Sequence, residues 1–507
     1  MARVGPPLDR ADERPEVFAM SPHPDGSTAS RCGPTPSGFP VADRPWSVET
    51  HGIDVVPDGD RHGKPSDLLW LWSAANLGVI GIVYGAVVAT LGLDLLQAVA
   101  VTVVGTAGSF LLVGVLGIAG QRGGEPMLAL SRRLFGASGN VGPSLVSWVS
   151  LVGWETVTAI VAADALLAIV PSLTHGPAGR WSAVVALAVT TGLSLAVGRL
   201  GHATIIVVQR AVAWIFGIAT LALVGDLAFR ADWARAAARH PAPFGAVVAA
   251  ASVVIASAGL SWVNVSADYT RYLPRGARGR AIVGWTTLGA STPLVVLVVL
   301  GYVLSSPTST LASSPNPVEA LRSGFPGWAV VPYLSVAVVG LLAQMVMGLY
   351  SSGLNLLVLG IRVRRSRTVL IDALVVLSVG GWFMVAPHDF LGSFVSFVEL
   401  LACPLATWAA VFLVDMLFGG SRDEPRTAWP AGGSWAVGTA VGLLFTASPL
   451  FTGPLARGIF VGSSLGYFAG FLVSAALFAA VRAGTVVRRG REATTTRRSV
   501  SGELPPR

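Results

Sequence analysis

The chain has 507 residues, of which 53% are hydrophobic and only 12% charged, against roughly 25% charged in an ordinary soluble domain. That deficit, spread over long uncharged runs, excludes a soluble globular enzyme and predicts a polytopic membrane protein. The formal net charge of +8 comes from arginines between apolar runs and at the C-terminal end, which is the pattern of membrane topology and not of nucleic-acid binding.

Residues 1–61 are rich in Pro, Gly, Asp, Arg and Ser, show no apolar periodicity, and read as a disordered cytoplasmic tail. No apolar core follows Met1 closely, so no signal peptide is expected, and Met20 is an alternative start. Residues 62–482 form the predicted transporter domain, an all-α membrane bundle of twelve spans. The spans are Asp67–Leu91, Leu95–Ala119, Val141–Val170, Trp181–Val197, Ala203–Phe229, Phe244–Val265, Ala281–Ser305, Trp328–Ile361, Val369–Ala386, Phe390–Phe418, Trp435–Leu450 and Ile459–Val481. Each lies near the roughly 20 residues that cross a bilayer. Residues 483–507 read as a second, Arg-rich cytoplasmic tail.

Arginine sets the expected orientation. Breaks after even-numbered spans hold Arg122, Arg132 and Arg133; Arg199; Arg271, Arg275, Arg278 and Arg280; Arg362, Arg364, Arg365 and Arg367; and Arg422 and Arg426. Odd-numbered breaks are poorer, so the even breaks and both termini are expected on the cytoplasmic side of the cell membrane.

Two spans carry polar interruptions. The first holds Ser73-Ala74-Ala75-Asn76-Leu77-Gly78, and the sixth ends in Ser261-Trp262-Val263-Asn264 before Asp268, Arg271 and Pro274. They are five spans apart, the spacing of two inverted five-helix repeats that each break their first helix near the midplane. Asn76 serves either such a site or a hydrogen bond to a neighbouring helix. Asp268 and Arg271 are three residues apart. They pair with each other, pair with the Arg132–Arg133 loop as an inner gate, or form a solvated helix end.

Span three places Trp154 and Thr158 one turn apart on a shared face. An indole face and a hydroxyl suit a flat heteroaromatic ligand, and Trp262 offers a second aromatic wall. Glu155 and Asp164 are carboxylates inside that span, expensive in hydrocarbon and therefore candidates for proton coupling. Arg210, Asp226, Glu399 and Asp415 are further charges inside spans, with a structural ion pair the expected role for Arg210. In span eight, Gln344, Gly348, Ser351, Ser352 and Asn355 form a small and polar stripe. Packing accounts for its Gly and Ser residues, whereas Gln344 supplies a donor and an acceptor for a base edge.

No Walker-type loop, His/Cys metal-ligand cluster or Gly-x-Ser-x-Gly motif is present, which argues against an ATP-driven pump, a metal site or an intramembrane enzyme. Cys32 and Cys403 lie in unlike surroundings and define no disulfide framework. No cofactor beyond a coupling ion, H⁺ or Na⁺, is expected, and the partners are a small heterocycle and the lipid bilayer.

Four stretches carry a family resemblance. They are Trp72 to Leu77; Gly124-Glu125-Pro126-Met127 through Phe135-Gly136; Gly153-Trp154; and Ser261-Trp262 through Ala267-Asp268-Tyr269-Thr270-Arg271-Tyr272-Leu273-Pro274. On these the chain resembles the nucleobase–cation symporter family 1, in its purine–cytosine permease branch, over about residues 52–482. The resemblance implies a twelve-helix, two-repeat fold and cation-coupled uptake of cytosine, a purine or a related heterocycle. It implies substrate contacts at Trp154, Thr158 and Trp262 with its neighbours Ser261 and Asn264, to which the span-eight stripe adds Gln344 and Gly348 as candidates. Cation contacts are implied from the backbone of Ala74 to Gly78, with Asn76 between them. Four positions depart from the family pattern. Gly348 stands where members commonly carry a polar side chain, Leu342 and Ala343 where sodium-coupled members place hydroxyls, and Ala258 where a second helix-six aromatic is usual. Leu342 and Ala343 favour protons over sodium, with Glu155 or another buried carboxylate as the carrier. A same-fold transporter of an amino acid, or a non-accumulating channel or sensor, are the alternatives.

Overall fold

The computed structural model describes residues 43–174, 181–305, 318, 322, 327–385, 390–418, 429–460 and 465–501. Among these the chain is helical: α1 Asp67–Asn76, α2 Ile80–Thr90, α3 Leu95–Gly123, α4 Met127–Gly139, α5 Val141–Thr174, α6 Ser182–Gly198, α7 His202–Arg230, α8 Trp233–Ala237 and α9 Phe244–Ser257. A 3₁₀ segment, Gly259–Tyr269, follows α9. Then come α10 Gly279–Leu304, α11 Gly327–Val358, α12 Arg365–Val385, α13 Phe390–Leu417, α14 Trp429–Leu444 and α15 Gly466–Ser501. Nine helices are long and apolar enough to cross a membrane, ten if the bent α1–α2 pair counts as one span, among the described residues. Helix α6 with 17 residues and α14 with 16 fall where the fourth and eleventh spans are expected. Helix α15 runs on to Ser501, so the expected C-terminal tail begins inside a helix. Cys32 and Met20 lie outside the described residues.

Local chemistry explains the main boundaries. Asp94 caps α3 in a reciprocal box, accepting from the Gln97 backbone at 2.7 Å while its own N–H donates to the Gln97 side chain at 3.1 Å. Helix α3 ends on Gly124 in the left-handed region, φ 75°. The centre of the molecule is set by α5 lying along α11 and α3 lying along α10. Helices α2 and α10 meet backbone to backbone: a Cβ on Gly85 would lie 2.0 Å from the Val298 carbonyl oxygen, and one on Gly301 2.1 Å from that of Ile82. This is the small-residue packing that membrane helices use where burial gives no driving force.

Both predicted interruptions are real breaks. Helices α1 and α2 bend by 61° across Leu77 to Val79, and the Gly81 and Ile82 amides turn back onto Gly78 and Val79 at 3.1 and 3.0 Å. Helix α9 stops at Ala258, ψ −114°, and the freed Gly259 amide donates to Ser109 Oγ of α3 at 3.0 Å. Both breaks are sheltered by protein, the condition under which lipid tolerates irregular backbone.

The N-terminal expectation is revised over residues 43–61, which pack against the bundle, while residues 1–42 lie outside the described part. The reason is charge pairing. The Glu49 and Arg271 side chains are both fully buried and form an ion pair. Arg365 Nε lies 3.9 Å from the other Glu49 oxygen. Arg271 also donates to the Gly52 carbonyl at 2.6 Å and the Tyr350 hydroxyl at 2.9 Å. Asp43 accepts from the Ala203 amide at 3.0 Å and lies 3.2 Å from His202 Nδ1, which ties the segment to the start of α7. Further along, the Val56 amide donates to the Gly124 carbonyl at 2.8 Å, and Arg61 donates to the Gln121 carbonyl at 2.7 Å. The segment is thus a strap across one end of the bundle, sewn to α3, α7, α12 and the end of the 3₁₀ segment.

Burial alone would raise the Glu49 carboxyl, but Arg271 and then Arg365 hold it below the usual carboxylate range. A depressed folded-state value stabilises above the unfolded value of about 4.3 and is lost as pH falls through the folded one. The strap should therefore hold across neutral pH and release only in acid. Glu49→Gln leaves two buried guanidinium groups without their anion and should lower stability at neutral pH by about 3–5 kcal/mol; thermal unfolding of the detergent-solubilised variant across pH checks this. Gly301→Val should force α2 and α10 apart, at about 1–3 kcal/mol or more, visible as less folded protein in fluorescence-detected size exclusion.

Candidate functional site

Three elements converge on one small central cavity. Its lining comprises Leu151, Trp154, Glu155 and Thr158 of α5, Ser261 and Trp262 of the 3₁₀ segment, and Gln344, Met345 and Gly348 of α11. Six of the seven expected substrate-contact residues are therefore brought together: Trp154, Thr158, Ser261, Trp262, Gln344 and Gly348. The cavity measures only about 10 Å³, room for about one water, so admitting a ring requires its walls to part.

The walls are aromatic and braced from behind. Trp154 meets Phe394 and Phe397 of α13 edge-on at 5.3 and 6.4 Å between centroids. Trp262 meets Trp72 of α1 edge-on at 5.4 Å and 86°. Helix α1 thus shapes the site from the second layer. Thr158 donates its hydroxyl to the Trp154 carbonyl at 2.8 Å, and Ser261 donates to the Ala258 carbonyl at 2.8 Å. In this state each faces the cavity as an acceptor. Gln344 has no side-chain hydrogen bond to a described residue and keeps both its functions free.

Gly348 and Glu155 explain each other. A Cβ on Gly348 would lie 2.9 Å from Glu155 Cγ, so the glycine makes room for the carboxylate. Glu155 is 1% exposed, and neither of its oxygens has a hydrogen bond.

Asn264 lies outside this lining. It is buried and donates to Ser147 Oγ at 2.6 Å, as does Asn355 of α11 at 2.6 Å, so it locks the 3₁₀ segment to α5 and α11. The expected pairing of Asp268 with Arg271 is not formed. Asp268 instead accepts from the Met127 amide at the start of α4 at 2.8 Å, and Arg271 takes Glu49. Nor does the Arg132–Arg133 loop supply a cation to Asp268: Arg133 pairs with Glu125 and Arg132 donates to the Val358 carbonyl. Glu49 is not legible as the partner of Arg271, because a polar, aperiodic stretch carries no signal of a partner in a distant loop.

At the first break, Asn76 donates back to the Trp72 carbonyl at 2.9 Å within its own helix. Gly78 faces Leu341, 3.6 Å from a notional Cβ. Ala74 is buried in an apolar cluster with Val212, Ala213 and Ala343. Beside it, the fully buried Gln209 of α7 donates its amide to the Ala343 carbonyl at 2.8 Å. Neither Gln209 nor its contact is evident in the sequence.

Several of the remaining charges form pairs: Arg210 with Asp67, Asp226 with Arg230 at 3.0 Å, and Asp415 with Arg482 at 3.7 Å. Asp372 of α12, fully buried, instead accepts from Trp148 Nε1 at 2.8 Å and Ser352 Oγ at 3.0 Å. It is the one acidic residue in the run Arg365–Val385, a signal that was available. A second, larger cavity of about 210 Å³ lies under the strap, lined by His62, Lys64, Asp67, His202, Arg210 and Tyr272 among others. It lacks the facing tryptophans. No cluster of three or more metal-ligating side chains occurs among the described residues.

Comparison with known proteins agrees with this architecture. The family model described as permease for cytosine/purines, uracil, thiamine, allantoin matches residues 55–470. YxlA of Bacillus subtilis (strain 168) is 24% identical over 453 residues, covering 85% of this chain and 95% of that protein. The purine-cytosine permease FCY21 of Saccharomyces cerevisiae (strain ATCC 204508 / S288c) is 24% identical over 267 residues, covering 51% and 48%. Among solved structures, Mhp1, a nucleobase-cation-symport-1 family transporter in a closed conformation with bromovinylhydantoin bound, superposes with a TM-score of 0.66 at 16% identity, covering 89% of this chain and 96% of that one. A Na⁺-coupled sialic acid symporter superposes with a TM-score of 0.51 at 10% identity, covering 83% and 97%. With apolar helices throughout and a family match over most of its length, the chain is a multi-pass membrane transporter, not an enzyme, and belongs to the permease family for cytosine/purines, uracil, thiamine and allantoin.

Proposed function

We propose that this permease imports a flat nucleobase-like heterocycle, such as cytosine or a purine, across the cell membrane together with a proton. The observation that carries the reading is the convergence of Trp154 and Trp262 on one cavity with Thr158, Ser261, Gln344 and Gly348. A ring stacked on Trp154 and walled by Trp262 would bury its faces. Its edge would meet the amide of Gln344 and the acceptor oxygens of Thr158 and Ser261. The family's described substrates include the flat bases cytosine, purines and uracil, and the hydantoin bound in Mhp1 is likewise a nitrogen-bearing ring.

Protons are favoured over sodium by what surrounds the first break. A hard cation needs several oxygen ligands. Here Ala74 sits among Val212, Ala213 and Ala343, and the Gln209 amide already occupies the Ala343 carbonyl. Asn76 and Gly78 then serve as hinge residues. Glu155 is the carrier: a carboxylate without hydrogen bonds in the bundle centre is stable there as the neutral acid, and charging it requires either solvent access or a cation. The breaks in α1–α2 and at Ala258, five spans apart, support two inverted five-helix repeats that rock about this site. The arginine-rich end, with Asp268, Arg271 and the strap, is the cytoplasmic gate, and both termini lie on that side.

Uptake into proteoliposomes of a panel of nucleobases, hydantoins and aliphatic amino acids, with the ion varied, tests this. The expected result is accumulation of a heterocycle that a protonophore collapses and sodium removal leaves intact. Trp154→Ala should weaken apparent affinity by about 1–3 kcal/mol, the range of a base–aromatic stack. Unchanged uptake of every heterocycle by that variant, or accumulation of an aliphatic solute alone, would contradict the assignment.

A further inference from the structure

Asp372 is buried two helical turns inside α12 from Arg365, about 10 Å along the axis, and lies between the central cavity and the strapped end. It has no role in the substrate site described above. Its hydrogen-bond donors are Trp148 of α5 and Ser352 of α11. Ser352 is one turn from Gly348, the residue that makes room for Glu155. In this state neither Glu155 oxygen has a hydrogen bond. Glu155 of α5 packs against Gly348, Ser352 lies one turn further along α11, and Ser352 donates to Asp372 of α12, so three helices bring the three side chains into one region. One turn nearer the strap, Thr368 bridges the Arg365 and Gly353 carbonyls at 2.7 and 3.1 Å, and Arg365 then reaches Glu49.

Among the described residues, no cation balances this pair of carboxylates. The elements packed on α12 are α5, α6 and α11. Between them they carry no Arg, Lys or His, and their ionisable groups are Glu155, Asp164, Tyr333 and Tyr350. On α12 itself, Arg365 is held by Glu49 and the Gly198 and Arg199 carbonyls, and Arg367 is exposed. Helices α4 and α13, which also pack on α5, bring Arg132, Arg133, Glu399 and Asp415. Of these, Arg132 and Arg133 are committed to the Val358 carbonyl and Glu125. Two carboxylates in this setting cannot both be charged without a large cost, and the group available to neutralise one is a proton.

We propose that Asp372 is the second proton station of the transport cycle, receiving the proton of Glu155 through Ser352 and passing it toward the strapped end. In the transfer, the Glu155 O–H bond breaks as a new bond forms to Ser352 Oγ. The original Ser352 O–H bond breaks in turn as Asp372 Oδ2 takes that proton. One proton and one negative charge exchange places, and the serine is regenerated. Two hydrogen bonds directed at Asp372 favour its charged form, whereas Glu155 has none, so in this state the proton rests on Glu155 and Asp372 is the charged acceptor. The transfer follows when Glu155 turns toward Ser352 and gains donors of its own. This inference rests on the proton-coupled reading above.

The test uses the full chain in proteoliposomes. Asp372→Asn should reduce proton-driven accumulation at least tenfold while leaving substrate exchange between equal internal and external pools within about twofold of wild type. Exchange needs binding and alternation but no net proton release. Asp372→Glu should restore accumulation, and Trp148→Phe, which removes a hydrogen bond but keeps the carboxylate, should retain it. Wild-type accumulation by Asp372→Asn, or loss of exchange in both Asp372→Asn and Asp372→Glu, would overturn the role of Asp372 while leaving the proton-coupled reading standing. Accumulation by the wild type that follows sodium and ignores a protonophore would instead remove that reading, and the relay with it.

Discussion

Lipid cannot satisfy a backbone amide or carbonyl, so a membrane helix may break only where protein supplies the missing partners. That constraint organises this molecule. The α1–α2 break is turned back on itself and pressed against α11, with a notional Cβ on Gly340 only 2.5 Å from the Leu77 carbonyl oxygen. The α9 break is capped by Ser109. Once two broken helices are placed side by side, unbroken α5 and α11 must pass close to them. The residues that face the breaks, Trp154 and Gln344 among them, then become the walls of a single cavity.

Charge is distributed by the same logic. Arginines gather at one end, where Glu49 and Asp43 of the strap meet Arg271, Arg365 and His202. The middle of the bundle holds the buried Glu155 and Asp372, with no cation paired to either among the described residues. The first arrangement is an electrostatic clasp that neutral pH does not loosen, since the arginines hold the Glu49 carboxyl low. The second is a place where protonation is the available means of neutralisation. The proposed proton-driven cycle would use the clasp as a gate insensitive to pH and Glu155 as a carrier sensitive to it, so that loading of the carrier, and not a change in the surrounding acidity, opens the gate.

Much of this was legible in the chain. The two interruptions, the Trp154–Thr158 face and the Gln344 stripe each carry a local pattern, and the structure gathers the sixth-span interruption, that face and Gln344 around one cavity. Asn264 shows the limit of such reading: its position in the sixth-span motif was right for a ligand contact, but its direction depends on Ser147 and Asn355 in two other helices. The strap was invisible for the same reason. Residues 43–61 have neither periodicity nor apolar content, and their order comes from partners such as Arg271, 222 residues away from Glu49. Gln209 looked like an ordinary polar residue until the Ala343 carbonyl was placed beside it. Asp372, by contrast, stood in plain view as a lone acid in an apolar run and needed only the rule that intramembrane carboxylates mark function.

The central claim is that heterocycle and proton enter together. Its most direct measurement is the lumenal pH of sodium-free proteoliposomes, followed with an enclosed dye while the transported heterocycle is added outside. The account predicts acidification of the lumen that starts with substrate addition and is absent from protein-free vesicles. Substrate entry with no change in lumenal pH, or entry that begins only when sodium is supplied, would contradict it.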